Sequence, residues 1–61
     1  MTNANFKIGQ TVNYTQCASF YTGVIVKVKE NSLIVIDDEA GMQLWNAGHS
    51  VGDEITFNQV K

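Results

Sequence analysis

One cysteine, Cys17, and one histidine, His49, in a chain of 61 residues decide what can hold this protein together. No internal disulfide can form from a single thiol, and a Cys/His zinc cluster cannot be assembled from one of each within one chain. At this length folding removes only about 60% of the surface that the unfolded chain exposes. Ordering costs roughly 1.5 kcal/mol per residue, and apolar burial at about 25 cal/mol per Å² barely offsets it, so scaffolds this small lean on a staple or on association. With both staples absent, the expectation is one domain with a closely used core and a homo-oligomer as its remaining support.

Charge narrows the partners. Six acidic residues stand against four lysines and no arginine, for a formal net charge of −2. Proteins that grip nucleic acid do so with clustered Lys and Arg, and Arg is the usual bidentate reader of phosphate and guanine. Nucleic acid is therefore a disfavoured partner. No apolar run approaches the roughly 18 residues of a membrane span, and the amino terminus lacks the basic-then-apolar layout of a signal peptide. These features set the expectation of a cytoplasmic protein with no membrane contact and a reduced thiol.

Residues 1–5 are small and polar and read as a flexible arm, leaving residues 6–61 as a single domain. From Phe6 onward the apolar residues are largely β-branched or aromatic, alternate or run in short blocks, and nowhere sustain a helical stripe. The pattern predicts an all-β fold of five strands at residues 10–15, 21–29, 33–38, 42–45 and 54–58. In the second strand Val24, Val26 and Val28 are expected to face inward and Ile25 outward beside Lys27 and Lys29. Glu30, Asn31 and Ser32 read as a tight turn with Asn31 left-handed. The third strand is apolar on both faces, with Leu33 and Val35 opposite Ile34 and Ile36. Residues 8–14 and 51–57 share one frame, apolar, Gly, two polar, apolar, polar, aromatic, which fits a turn on Gly leading into a half-buried strand.

Five short strands closed by hairpins resemble the SH3-like barrels, including the KOW and Tudor-type modules, in the Gly-led first strand, the central hairpin ending at Gly41 and the short last strand. A closed barrel also answers the edge problem of a small open sheet. The alternative is an OB-fold of the S1 kind, which Gly23-Val24-Ile25-Val26 and Val51-Gly52-Asp53-Glu54-Ile55 resemble. That fold places a helix between strands three and four, for which no periodicity shows here.

The acidic run Asp37-Asp38-Glu39 ends the third strand, and successive strand residues point to opposite faces, so a shared metal ion is not expected. With Asp53 and Glu54 these carboxylates form candidate contacts for a protein partner, and Tyr14, Tyr21 and Trp45 are candidate aromatic anchors. Cys17 and His49 could form a nucleophile and base only with an orienting group and an oxyanion site that nothing places beside them.

Ile25, Ile34 and Ile36 fall on the side opposite the expected core. They either form an apolar patch that marks an oligomer interface or lie in a tightly curled sheet that buries both faces of strand three.

Gly41-Met42-Gln43-Leu44-Trp45 resembles the Ser-Val-Gln-Ile-Tyr strand of the type II, plasmid-borne dihydrofolate reductases, tiny barrels active as tetramers around a pore. The resemblance implies NADPH as cofactor, Gln43 lining the pore, Met42 and Leu44 meeting nicotinamide or pterin through their backbone, and Trp45 at the family's Tyr. No lysine follows Val12 where that family carries one, so such a pore would attract anionic NADPH poorly.

The reading that results is a small acidic, non-enzymatic protein-binding module, with no cofactor and no metal. Its size and lone-domain design suit a phage or mobile-element accessory protein that docks on a host protein. The alternatives are a homotetrameric reductase of the type II kind and a KOW-like nucleic-acid-associated module.

Overall fold

The computed structural model describes residues 6–61; the expected arm at residues 1–5 lies outside the described residues. Alternating apolar residues start β1 (Thr11–Gln16), which puts Val12 and Tyr14 inside and leaves Thr11 and Asn13 out. It is followed by β2 (Ser19–Val28), β3 (Ser32–Ile36) and β4 (Asp53–Thr56), paired antiparallel in the order β1-β2-β3-β4. Residues at four of the five expected strand positions are strands. A 3₁₀ turn, Phe57–Gln59, then swings the chain end back across the open side. There Val60 bridges Tyr14, the Lys61 N–H donates to the Asn13 carbonyl at 2.8 Å, and Gln59 Nε2 donates to the Thr15 carbonyl at 2.7 Å. The sheet thus curls into a half-barrel. Its interior holds Phe6, Val12, Tyr14, Ile25, Leu33, Val35 and Ile55, with Val28, Phe57 and Val60 packed against them.

The expected strand at residues 42–45 is instead part of a helix, α1 (Glu39–Asn46). Asp38, in extended conformation, caps it by accepting the Gly41 N–H on its carboxylate. Glu39 in the first turn complements the helix dipole, and Ala40, Met42, Gln43 and Leu44 are good helix formers. Two turns are too few to display a periodic stripe. The helix lies between β3 and β4, the place where it was not expected.

Two further corrections concern side-chain direction. The pairing of β2 with β3 shifts between Ile25 and Lys27, so Ile25 opposes Val35 while Lys27 opposes Ile34. Such a bulge adds one residue and reverses the alternation. Ile25 therefore points inward and is fully buried; of the expected inward valines Val26 is buried, Val28 is half-buried against the core, and Val24 is half-buried beside Ile36 on the outer face. On the outer face, Ile36 is only 5% exposed because α1 and the loop after it close over it. A Cβ on Gly41 would lie 2.8 Å from Ile36 Cγ2, and one on Gly52 would lie 2.8 Å from Ile34 Cγ2. Hence both faces of β3 are covered: Ile25 and Ile36 are buried, and Ile34 is half-buried and lines a cleft. Curling, the second of the two readings, accounts for them.

The shared frame at the two ends has a common geometry: Gly9 and Gly52, each just before a strand, have φ of +93° and +108°. Among the described residues no helix is long and apolar enough to cross a membrane.

The β1–β2 turn departs from the usual hairpin chemistry. Gln16 pairs with Ser19, and the two residues between them, Cys17 and Ala18, both have positive φ, 52° and 65°. They are the only such non-glycine residues among those described, so Asn31 does not adopt the left-handed form expected of it. A two-residue turn of this kind prefers Asn-Gly, and each ordinary side chain held there costs about 1 kcal/mol. Replacing the pair (Cys17→Asn with Ala18→Gly) is expected to raise stability by about 1 kcal/mol. Urea unfolding checks it, and an unchanged or lower midpoint would contradict the turn geometry.

Candidate functional site

The junction of β3 with α1 collects negative charge. Asp37, Asp38 and Glu39 follow one another there, and Asp53, which opposes Val35 across the β3–β4 pair, joins Asp37 and Asp38 around a recess of about 200 Å³. Four of the chain's six acidic residues therefore share one end of the sheet. Beside the recess runs a groove of about 340 Å³. Its floor comes from residues brought side by side by strand register, Thr11, Val24 and Ile36, with Gly23 beneath and Met42 of α1 as the far wall. Its rim carries Asp37, Asp38 and Glu39. Asp38 is engaged as the helix cap; Asp37, Glu39 and Asp53 have no side-chain hydrogen bond or ion pair among the described residues.

The aromatic candidates separate. Tyr14 is fully buried and cannot serve as a surface anchor. Its ring stacks on that of Tyr21, with centroids 5.6 Å apart, and its hydroxyl has no hydrogen-bond partner. Burial, reinforced by the negative charges of Asp37 and Asp53 and by Tyr21, pushes the phenol up from 10.0 to about 12. Tyr21 opposes Tyr14 across the β1–β2 pair and remains exposed. Trp45, in the last turn of α1, lies in a different cleft of about 300 Å³ with Lys27, Lys29 and Ile34.

Glu54 does not join the acidic end. Its carboxylate accepts the Ser32 hydroxyl at 2.7 Å and pairs with Lys29 at 3.4 Å, and these two contacts, the first above all, hold its carboxyl below the usual value. Adjacent strand positions face opposite ways, so Asp53 and Glu54 were bound to part.

The Met42 to Trp45 segment fares differently from its reading as a pore-lining strand. The Met42 N–H donates to the Asp38 carbonyl at 3.2 Å within the helix, so it is not free for a nicotinamide or pterin. Gln43 and Leu44 are exposed, Met42 turns to the acidic groove and Trp45 to the other cleft. These residues do not fit NADPH in the way the reductase resemblance implies. Cys17 sits exposed at the β1–β2 tip, and His49 lies exposed in the α1–β4 loop. Among the described residues no group of three His, Cys, Asp or Glu side chains is placed to hold a metal ion.

Reading the strands one at a time missed the groove floor and the Lys27, Lys29 and Trp45 cleft. Each is assembled across strands, so the only signal in the sequence is the pairing register, which the bulge at Val26 hides. No family model matches the chain, and neither a curated protein nor a solved structure matches it.

Tyr14→Phe keeps the ring and deletes an unpartnered buried hydroxyl. Stability at neutral pH is expected to hold or rise by up to about 1 kcal/mol. The raised phenol makes the folded state hold its proton where the unfolded chain releases it, so its stabilisation is complete below pH 10.0 and lost as pH rises through about 12. The variant is expected to lose that part of the alkaline destabilisation. Thermal unfolding against pH checks both, and a clear loss of stability at neutral pH would mean that the hydroxyl has a partner.

Proposed function

We propose that this protein is a non-enzymatic binding module of SH3-like design that docks its acidic end on a basic protein surface. Support for the SH3-like reading lies in the strand order β1-β2-β3-β4, a meander rather than a Greek key, and in the return of Val60 to β1 after the 3₁₀ turn. The helix between β3 and β4 is the one feature in common with the OB-fold alternative. Among alternatives of function, the reductase reading loses the strand on which it rested.

The observation that carries the docking reading is the pair Asp37 and Glu39, carboxylates unpaired among the described residues, on the rim of an apolar groove, with Asp53 in the adjoining recess. A lysine or arginine side chain suits that arrangement, because its hydrocarbon stem lies on the half-buried Val24 and Met42 while its charged head meets the rim. The carboxylates steer a basic partner at a distance. A phage or mobile-element accessory protein that occupies a host protein's basic site would work in this way.

Neutralising the rim (Asp37→Asn with Glu39→Gln) is expected to weaken binding to a lysine-rich peptide about tenfold, with wild-type binding falling as salt rises, whereas Glu54→Gln leaves it unchanged. Isothermal titration checks this. Equal binding by the rim variant, or binding indifferent to salt, would remove the proposal.

A further inference from the structure

The other end of the sheet's outer face carries the opposite character. Lys27 and Lys29 of the β2 side, Ile34 of β3, Trp45 of α1 and Val51 of the following loop enclose a cleft of about 300 Å³. We propose that this cleft binds a small, flat aromatic molecule bearing a carboxylate or a phosphate. It is separate from the acidic groove and stands whether or not that groove docks a protein.

Three observations converge on that class of ligand. The first is shape: a volume near 300 Å³ is at the small end of ligand pockets and suits one ring system. The lining is mixed: Ile34, Val51 and the half-buried Trp45 supply its apolar part, and Lys27, Lys29, Ser50 and Glu54 its polar part, which suits a ligand with a ring at one end and a charge at the other. The second is charge. Glu54 also borders the cleft, but its Oε2 is committed to both the Ser32 hydroxyl and Lys29. Lys27 is exposed and forms no ion pair among the described residues, so the cleft keeps one uncompensated positive charge at its mouth, with the Ser50 side chain alongside. The chain is negative overall, yet of its six carboxylates Glu54 alone lines the cleft.

The third observation is preorganisation. Gly52, at φ +108°, lets the loop lie directly on β3, where a Cβ would come within 2.8 Å of Ile34 Cγ2 and 3.1 Å of the Val35 carbonyl oxygen. The loop wall is thus pressed against the sheet, and the opposite wall is the end of a helix. A ligand meets surfaces already in position, which lowers the ordering cost of binding.

Trp45 is the chain's only tryptophan, so its indole N–H gives a single, unambiguous nuclear magnetic resonance signal. The full chain is titrated with adenosine monophosphate and with 2-naphthoate, each against its neutral counterpart, adenosine and 2-naphthamide. The proposal expects a saturable shift of the Trp45 indole signal with at least one anion, and at least about threefold weaker binding of its neutral counterpart. Comparing each anion with its own neutral counterpart isolates what the phosphate or the carboxylate contributes. Lys27→Gln is expected to weaken binding about threefold to fivefold, and Asp37→Asn to leave it unchanged. No saturable shift with either anion, equal binding of the neutral rings, or loss of binding in Asp37→Asn would each overturn the assignment.

Discussion

Everything in this protein depends on β3 being buried from both sides. In a chain with no staple, the central strand is the one place where each apolar residue can be used, whichever way it points. Leu33 and Val35 fill the half-barrel between β2 and β4, while Ile36 and part of Ile34 are sealed from outside by α1 and the loop after it. The β2 bulge is the counterpart of this arrangement, since it turns Ile25 toward Val35 in the interior and sends Lys27 to the outer face beside Ile34. Small residues at Gly41 and Gly52 then permit the helix and loop to approach β3 within contact distance.

The same covering creates both candidate sites. A two-turn helix laid over one part of the outer face leaves a trough at each end. At the first turn, the residues that begin and cap the helix are acidic, and the trough there is rimmed by Asp37, Asp38 and Glu39. At the last turn Trp45 faces the lysines that the bulge has brought outward. Function, on this account, follows from how a very small protein closes its core, and the chain's charge is divided between two surfaces. A formal net charge of −2 conceals that division.

Much of the fold was legible in the residues. β-Branched alternation located β1 to β4, and the repeated Gly frame marked two strand entries that share positive-φ glycines. What could not be read has physical causes. Period-two logic assigns faces correctly only until an extra residue intrudes, and nothing in Val24-Ile25-Val26-Lys27 announces the bulge. The helix was hidden by Gly41, a residue normally unfavourable in a helix interior. It is present because a larger residue would strike Ile36 and the capping Asp38. For the site, the run Asp37-Asp38-Glu39 was visible as a cluster, whereas the departure of Glu54 to Lys29 and the disappearance of Tyr14 into the core required the pairing register.

Ile36 tests the double burial most directly, because it is the outward residue that the helix is said to cover. Chemical unfolding of Ile36→Ala at several protein concentrations is expected to show a loss of about 2–4 kcal/mol that does not vary with concentration. A change within about 0.5 kcal/mol, as for a solvent-facing side chain, would contradict the account. So would a loss that deepens on dilution, since a second copy rather than α1 would then be covering β3.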